Sequence, residues 1–429
     1  MRILKVYNNF YIVIIFILIF IGTFLAPLQL HPKISYAVKF LLYVLVILFH
    51  KNTISQMNRW LFFAIVVIIP TGLLGLFMGW NYVDISADIT RYLAPFLGYT
   101  AGVLLLNHLD YYRIIYLLYG LLALKVFPYY KTVVYKVSDV FQGGPLVEYA
   151  SSYSLEVHYL YAFIAYFLIR NKIVSGFKKV LLIGYVVGYI LNPILIVSKA
   201  RTITMLLSIT LIFLFFSNLK NKLLLIILVS LVMSTFLLYS SSKTLNIVTK
   251  LDSVTSRFQD TLELIKTKEY SADASTAYRV AEIKNVFGML IDKFPYSLPF
   301  GFGSGALYYE KHAQIKGGIP AGNYRSDGGI HDIFFVPGGY LFRYGTIGLL
   351  FMLYFVVHNY RKISVNNVNA HQNTIGASLK IFIIISIIKD LFIPVHAYGN
   401  IEFGFFIAMA IVSQNKLNVQ RSSLNTSVV

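Results

Sequence analysis

Three places along the chain carry residues whose types and spacing could do chemistry. Arg279 follows Ser275 and Thr276 closely enough to stand in the first turn of a helix capped by either. A helix N-terminus offers unpaired N–H groups and partial positive charge, and a guanidinium beside it would complete a phosphate or pyrophosphate site. The same spacing also describes an i,i+3 pair with Glu282 on a wet surface, which is the commoner arrangement. Ser198-Lys199-Ala200-Arg201 forms a short turn between two apolar runs. Cations at that depth snorkel, pair or bind an anion, and no acid stands beside these two. His331 stands next to Asp332 at the start of a long apolar run, where an imidazole can take or give a proton near neutral pH or simply hydrogen-bond a backbone group. Tyr278, Arg325, Asp327 and Arg343 are further candidates that rest on residue type alone.

Two other arrangements point away from cofactors. The Gly301-x-Gly303-x-Gly305 run has no strand before it, so it reads as a tight, close-packed turn and not as a dinucleotide fingerprint. The nine histidines are scattered, HExxH is absent, and the acids do not pair as divalent-cation sites require, so no metal and no other cofactor is expected. With no cysteine, thiolate chemistry and disulfides are excluded.

The elements that position these groups are mostly apolar helices. The chain is 57% hydrophobic and only 13% charged, against about 25% charged for a soluble domain, so it reads as an all-α polytopic integral membrane protein. Apolar runs at 10–28, 36–50, 60–79, 91–107, 112–128, 153–170, 177–197, 200–217, 221–239, 331–358, 376–394 and 401–415 predict about twelve transmembrane helices. The basic start MRILKVYNNF leads into a full-length apolar run without a small-residue cleavage site, as a first membrane helix does.

A net charge of +19 could suggest nucleic acid, but the cations cluster in short loops, as orientation signals do. Arg2 and Lys5, Lys51 and Arg59, Arg113, Arg170, Lys172, Lys178 and Lys179, Lys220 and Lys222, Arg361 and Lys362, and Lys416 and Arg421 fall on one side, with Asp110 almost the only acid among them. That side is read as cytoplasmic, with both termini there. Asp84, Asp88, Asp139, Glu148 and Glu402 are assigned to the opposite loops.

The organisation expected is a membrane part over 1–239, a large external loop over 240–330, and C-terminal spans with a short cytoplasmic tail over 331–429. Within the loop, 251–268 and 275–294 have helical periodicity, the second with Val280, Ile283, Val286, Phe287, Leu290 and Phe294 on one stripe and Pro295 as its stop. These read as short amphipathic helices on the outer membrane face. The glycine-rich stretch 311–330 reads as a mobile lid.

Four pieces in fixed order resemble the bacterial O-antigen polymerase and O-antigen ligase superfamily. They are the S-x-x-R turn at Ser198 to Arg201, an arginine at Arg279 opening a loop helix, the P-F-G-F-G-S-G run at 299–305, and H-D-I-F-F at 331–335 with Gly345 and Gly348 following in a span. Asp332 departs from the asparagine or serine common there, and Lys199-Ala200 from the usual small or hydroxylated residues. The resemblance implies a metal-independent glycosyltransferase using undecaprenyl-pyrophosphate-linked oligosaccharide at the outer face of the cytoplasmic (inner) membrane. It implies that Arg201 and Arg279 hold the pyrophosphate and that His331 assists the acceptor hydroxyl, with Lys199, Tyr278, Arg325 and Asp332 as substrate-binding candidates.

Polymerisation of O-antigen or capsular repeat units is the favoured activity, with ligation of glycan to lipid A-core as the alternative. Membrane lipids and a chain-length regulator protein are expected partners, and nucleic acid is not. A flippase or transporter is the rival of another class; it would bind at the midplane between related halves, and no such halves are visible.

Overall fold

The computed structural model describes residues 10–11, 13–15, 17–18, 32–49, 59–124, 126, 155–195, 274–313, 328–331, 333, 335–365, 370–392 and 401–426. Among these the protein is helical, with no strand beyond one isolated bridge between Tyr308 and Ile330. The helices are α1 (Pro32–Phe49), α2 (Arg59–Phe77), α3 (Tyr82–Leu106), α4 (Tyr111–Leu124), α5 (Leu155–Arg170) and α6 (Gly176–Leu195). Then follow α7 (Ala274–Asp292), α8 (Ser297–Phe300), α9 (Val336–Lys362), α10 (Ala370–Phe392) and α11 (Ile401–Thr426). Three of them, α2, α3 and α9, are long and apolar enough to cross a membrane. The expected runs at 200–217 and 221–239, the loop helix at 251–268, and Lys199, Arg201, Arg325 and Asp332 lie outside the described residues.

The exposed surface of these helices is itself apolar. On α2, Phe62, Val66, Ile69, Leu73 and Leu76 recur at helical spacing and all are exposed. Ile347, Leu350, Tyr354 and Val357 do the same on α9. Stripes of that length on a water-facing surface would be a large apolar patch, whereas hydrocarbon is their natural solvent. Together with the helix lengths they mark a membrane protein.

Helix ends follow local chemistry. Gly79 turns the chain at φ +75°, and Asn81 caps α3 by accepting the Val83 N–H at 2.9 Å, so α2 and α3 form a tight antiparallel hairpin. Because of that cap α3 begins at Tyr82, well before the apolar run that starts at 91. Asp84 and Asp88 therefore are not on a loop, as the sequence reading had them, but inside the helix and buried. The apolar run at 331–358 is displaced in the other direction: α9 starts at Val336, leaving His331 on the extended segment before it, and ends on Arg361 and Lys362.

The centre of the packing is α11 against α3. Residues Ile401 to Gln414 of α11 are buried throughout. They lie against α3 at glycine positions, where a Cβ on Gly98 would stand 1.8 Å from the Ile401 carbonyl oxygen and one on Gly404 1.7 Å from that of Pro95. Gly98 and Gly102 on α3 face Gly404 and Ala408 on α11, a small-residue seam that lets two backbones approach as closely as membrane helices do.

The segment from α7 to residue 313 is docked onto this core. Its α7 packs against α9, and α8 against α9 around Gly345. The helical stripe of α7 is partly as expected, with Val286 and Leu290 buried. Ile283 and Phe294 point outward, and Tyr278, Ala281, Glu282 and Asn285 take the buried side. Asn285 uses its whole amide there: Oδ1 accepts the N–H groups of His312 and Ala313, and Nδ2 donates to the Ala313 carbonyl. Residues 312–313 are thereby fixed on α7. The Tyr308–Ile330 bridge holds the two ends of the glycine-rich stretch together, while 314–327 lie outside the described residues.

Candidate functional site

The PFGFGSG run is the piece that carries the segment after α7 into the helical core. Gly301, Gly303 and Gly305 all have positive φ, and their backbone lies on other backbones: a Cβ on Gly303 would stand 2.5 Å from the Gly75 nitrogen of α2. Ser304 donates its N–H to the Thr71 carbonyl, Phe302 donates to that of Phe342, and the Trp80 indole donates to that of Phe302. The expected tight turn is therefore a wedge between α2, α3 and α9. On the α9 side the fit requires Gly345, whose φ of +66° breaks the helix and whose Cβ position lies 2.2 Å from the Pro299 oxygen.

What the wedge delivers is the Gly305 N–H, which donates to Asp88 Oδ2 at 2.7 Å. Two more groups meet the same oxygen: His331 Nε2 at 3.3 Å and Arg343 Nε at 3.0 Å. Arg91, one turn along α3, stands 3.9 Å from Oδ1. The Arg343 Nη2 donates to the His331 carbonyl oxygen, and the Tyr344 hydroxyl donates to the Asp88 carbonyl oxygen at 2.8 Å. Three pieces of chain, at Gly305, His331 and Arg343, therefore converge on one carboxylate of α3.

Burial grades across the cluster. Asp88 is fully buried, the side chains of Arg343 and His331 are 4% and 8% exposed, and that of Arg91 is 35% exposed. A lone carboxylate at this depth would cost several kcal/mol, and the cations with the Gly305 N–H offset it. Asp88 faces two guanidinium groups that are always charged. Arg91, Gly339, Tyr340, Arg343 and Tyr344 line a recess that opens beside Asp88 at the first turn of α9. Among the described residues no three His, Asp or Glu side chains are grouped to hold a metal ion.

The residues singled out from sequence divide as follows. His331 is at the cluster. Arg343, which rested on residue type alone, is one of its principal members. Tyr278 is buried among Phe302, Ile330, Ile333 and Phe342, with its hydroxyl 3.0 Å from that of Tyr308, and it orders the junction of α7 with the wedge.

Arg279 is on α7, but the helix begins at Ala274, so Ser275 and Thr276 lie inside the first turn and Arg279 in the second. Its side chain is outside the described residues. Glu282 corrects the wet-surface reading: it is fully buried, and its Oε1 accepts the Phe335 N–H at 2.8 Å, capping the start of α9 from a neighbouring helix. Asp88 and Arg91 were missed as site residues. The available signal was their i,i+3 spacing at the edge of an apolar run, together with a single cation, Arg343, inside another, since ionisable groups in membrane helices find partners.

Compared with known proteins, the chain matches no protein-family model, no curated protein and no solved structure.

Proposed function

We propose that this protein polymerises undecaprenyl-pyrophosphate-linked oligosaccharide repeat units of an O-antigen or capsular polysaccharide, as a multi-pass protein of about twelve spans acting at the outer face of the bacterial inner membrane. The observation that carries the reading is the junction itself. A cluster in which Arg343, Arg91 and His331 meet one buried carboxylate is built where the segment after α7 wedges between α2, α3 and α9.

Displacing a pyrophosphate from an anomeric carbon builds negative charge on the leaving group, and fixed cations in a water-poor place stabilise it. Arg91 and Arg343, together with Arg279 and Arg201 from the sequence motifs, are the groups of the right kind. A sugar hydroxyl needs only modest assistance as it attacks, which an imidazole supplies.

The test is the glycan profile of a strain lacking the protein, complemented with wild type or with Arg279→Ala. We expect the deletion to leave lipid A-core carrying one repeat unit with the long ladder gone. We expect the wild type to restore the ladder and Arg279→Ala, at normal expression, not to. Long polymer accumulating unattached on its lipid carrier would mean a ligase instead. Single repeats trapped on the cytoplasmic face would mean a flippase, and no enzyme of this kind.

A further inference from the structure

From Phe294 to Tyr309 the chain carries no charged residue, and charges stand at both ends of that run: Asp292 and Lys293 before it, Glu310 and Lys311 after it. The two ends are brought together. His312 Nε2 meets Asp292 Oδ2 at 2.9 Å, and the Asn285 amide clamps residues 312 and 313 to the helix that the run leaves. The run therefore departs from a polar neck and returns to it.

Its depth can be read on the helices beside it. At about 1.5 Å per residue α2 covers about 27 Å, close to the thickness of a hydrocarbon core. Ser304 donates to the Thr71 carbonyl about 9 Å below the Phe77 end of that helix, and the exposed Ile69 and Leu73 flank Thr71. On α9 the Thr346 hydroxyl donates to the Leu298 carbonyl oxygen at 3.1 Å, one residue before the exposed apolar stripe that begins at Ile347. The free side of the run is apolar too, with Phe294, Tyr296, Leu298 and Phe300 exposed, Tyr296 by 87%. Backbone can enter a membrane where protein satisfies its polar groups. Here Ser297 donates to the Lys293 carbonyl, Leu298 to that of Pro295 and Gly301 to that of Ser297, while Pro295 and Pro299 have no N–H to place.

We infer that residues 294–306 are a re-entrant segment. They enter the leaflet in which α2 turns into α3, wedge between α2, α3 and α9, and leave on the same side, with Phe294, Tyr296, Leu298 and Phe300 against lipid acyl chains. Lipid is the occupant of that face because the face continues the lipid-facing stripes of α2 and α9. In water the same four side chains would add to an apolar patch with nothing to cover it. The Gly305 N–H and the Asp88 carboxylate it meets then lie below the membrane surface and not in the water above it. This membrane contact goes beyond the polymerase reading and does not depend on it.

The chain has no cysteine, so single cysteines can be introduced into the full protein and spin-labelled one at a time. The experiment is electron paramagnetic resonance of Tyr296→Cys and Phe300→Cys in proteoliposomes, with oxygen as the lipid-soluble collision partner and a nickel chelate as the water-soluble one. Leu350→Cys on the α9 stripe and Lys311→Cys at the neck serve as references. The oxygen-to-nickel collision ratio at both test positions should approach that of Leu350→Cys. It should exceed that of Lys311→Cys by about tenfold or more, since polar solutes are strongly excluded from hydrocarbon. Labels as open to the nickel chelate as that of Lys311→Cys would overturn the inference and put the run in water. Labels shielded from both partners would overturn it too, by showing that a further part of the chain or a second copy covers the face.

Discussion

Arg343→Met is expected to destabilise the protein by about 3–5 kcal/mol, because it strips a fully buried carboxylate of its closest cation. The methionine fills similar volume, so the loss is electrostatic and not a cavity effect. The wedge should loosen with it, since Gly305 and His331 are held through the same Asp88 oxygen. The double variant Asp88→Asn/Arg343→Met should recover a large part of that stability, because removing both charges removes the desolvation cost along with the attraction. Equilibrium unfolding by SDS titration in mixed micelles measures the cycle. Additive effects of the two substitutions would show that the pair is not coupled in the folded protein.

A second large effect is expected at the seam between α3 and α11. Gly98→Leu would drive a branched side chain into the backbone of Ile401, where even a Cβ has no room. Overpacking commonly costs about 1–3 kcal/mol, but the obstacle here is main chain on a helix buried along its length, so the helices must separate. We expect Gly98→Leu, and likewise Gly404→Leu, to yield aggregated protein on size-exclusion chromatography in mild detergent. Gly120→Leu has open space around its Cβ position and should behave as wild type. Monodisperse Gly98→Leu at normal yield would contradict the packing described.

The pattern of apolar runs made several helices legible before any coordinates. The runs at 60–79, 153–170 and 177–197 match α2, α5 and α6 within a few residues. The glycine run was also readable as a close-packed turn, because three glycines at alternate positions without a preceding strand leave little else for them to do.

The centre of the site was not readable, for a physical reason. Asp84 and Asp88 lower the local hydropathy, so an apolar window opens only after them and assigns the acids to a loop. The Asn81 cap and the partners of Asp88, three of which lie more than two hundred residues away, place them inside a helix. Hydropathy measures transfer to lipid, and a charge paired inside a bundle never makes that transfer. Glu282 failed in the same way, since spacing cannot tell a wet i,i+3 pair from a buried cap. Gly98-x-x-x-Gly102 was the one packing signal present in the sequence that went unused.

The most direct measurement of the central claim is transfer by the purified protein in proteoliposomes supplied with an isolated lipid-linked repeat unit. Chelator should be present throughout, with wild type compared to His331→Ala. The account predicts growing lipid-linked oligomers, one undecaprenyl pyrophosphate released per bond formed, and a rate lowered about 100-fold or more in His331→Ala. Oligomers formed at an undiminished rate by His331→Ala would place the chemistry away from the Asp88 cluster. No oligomer from a correctly inserted wild type would contradict the account as a whole.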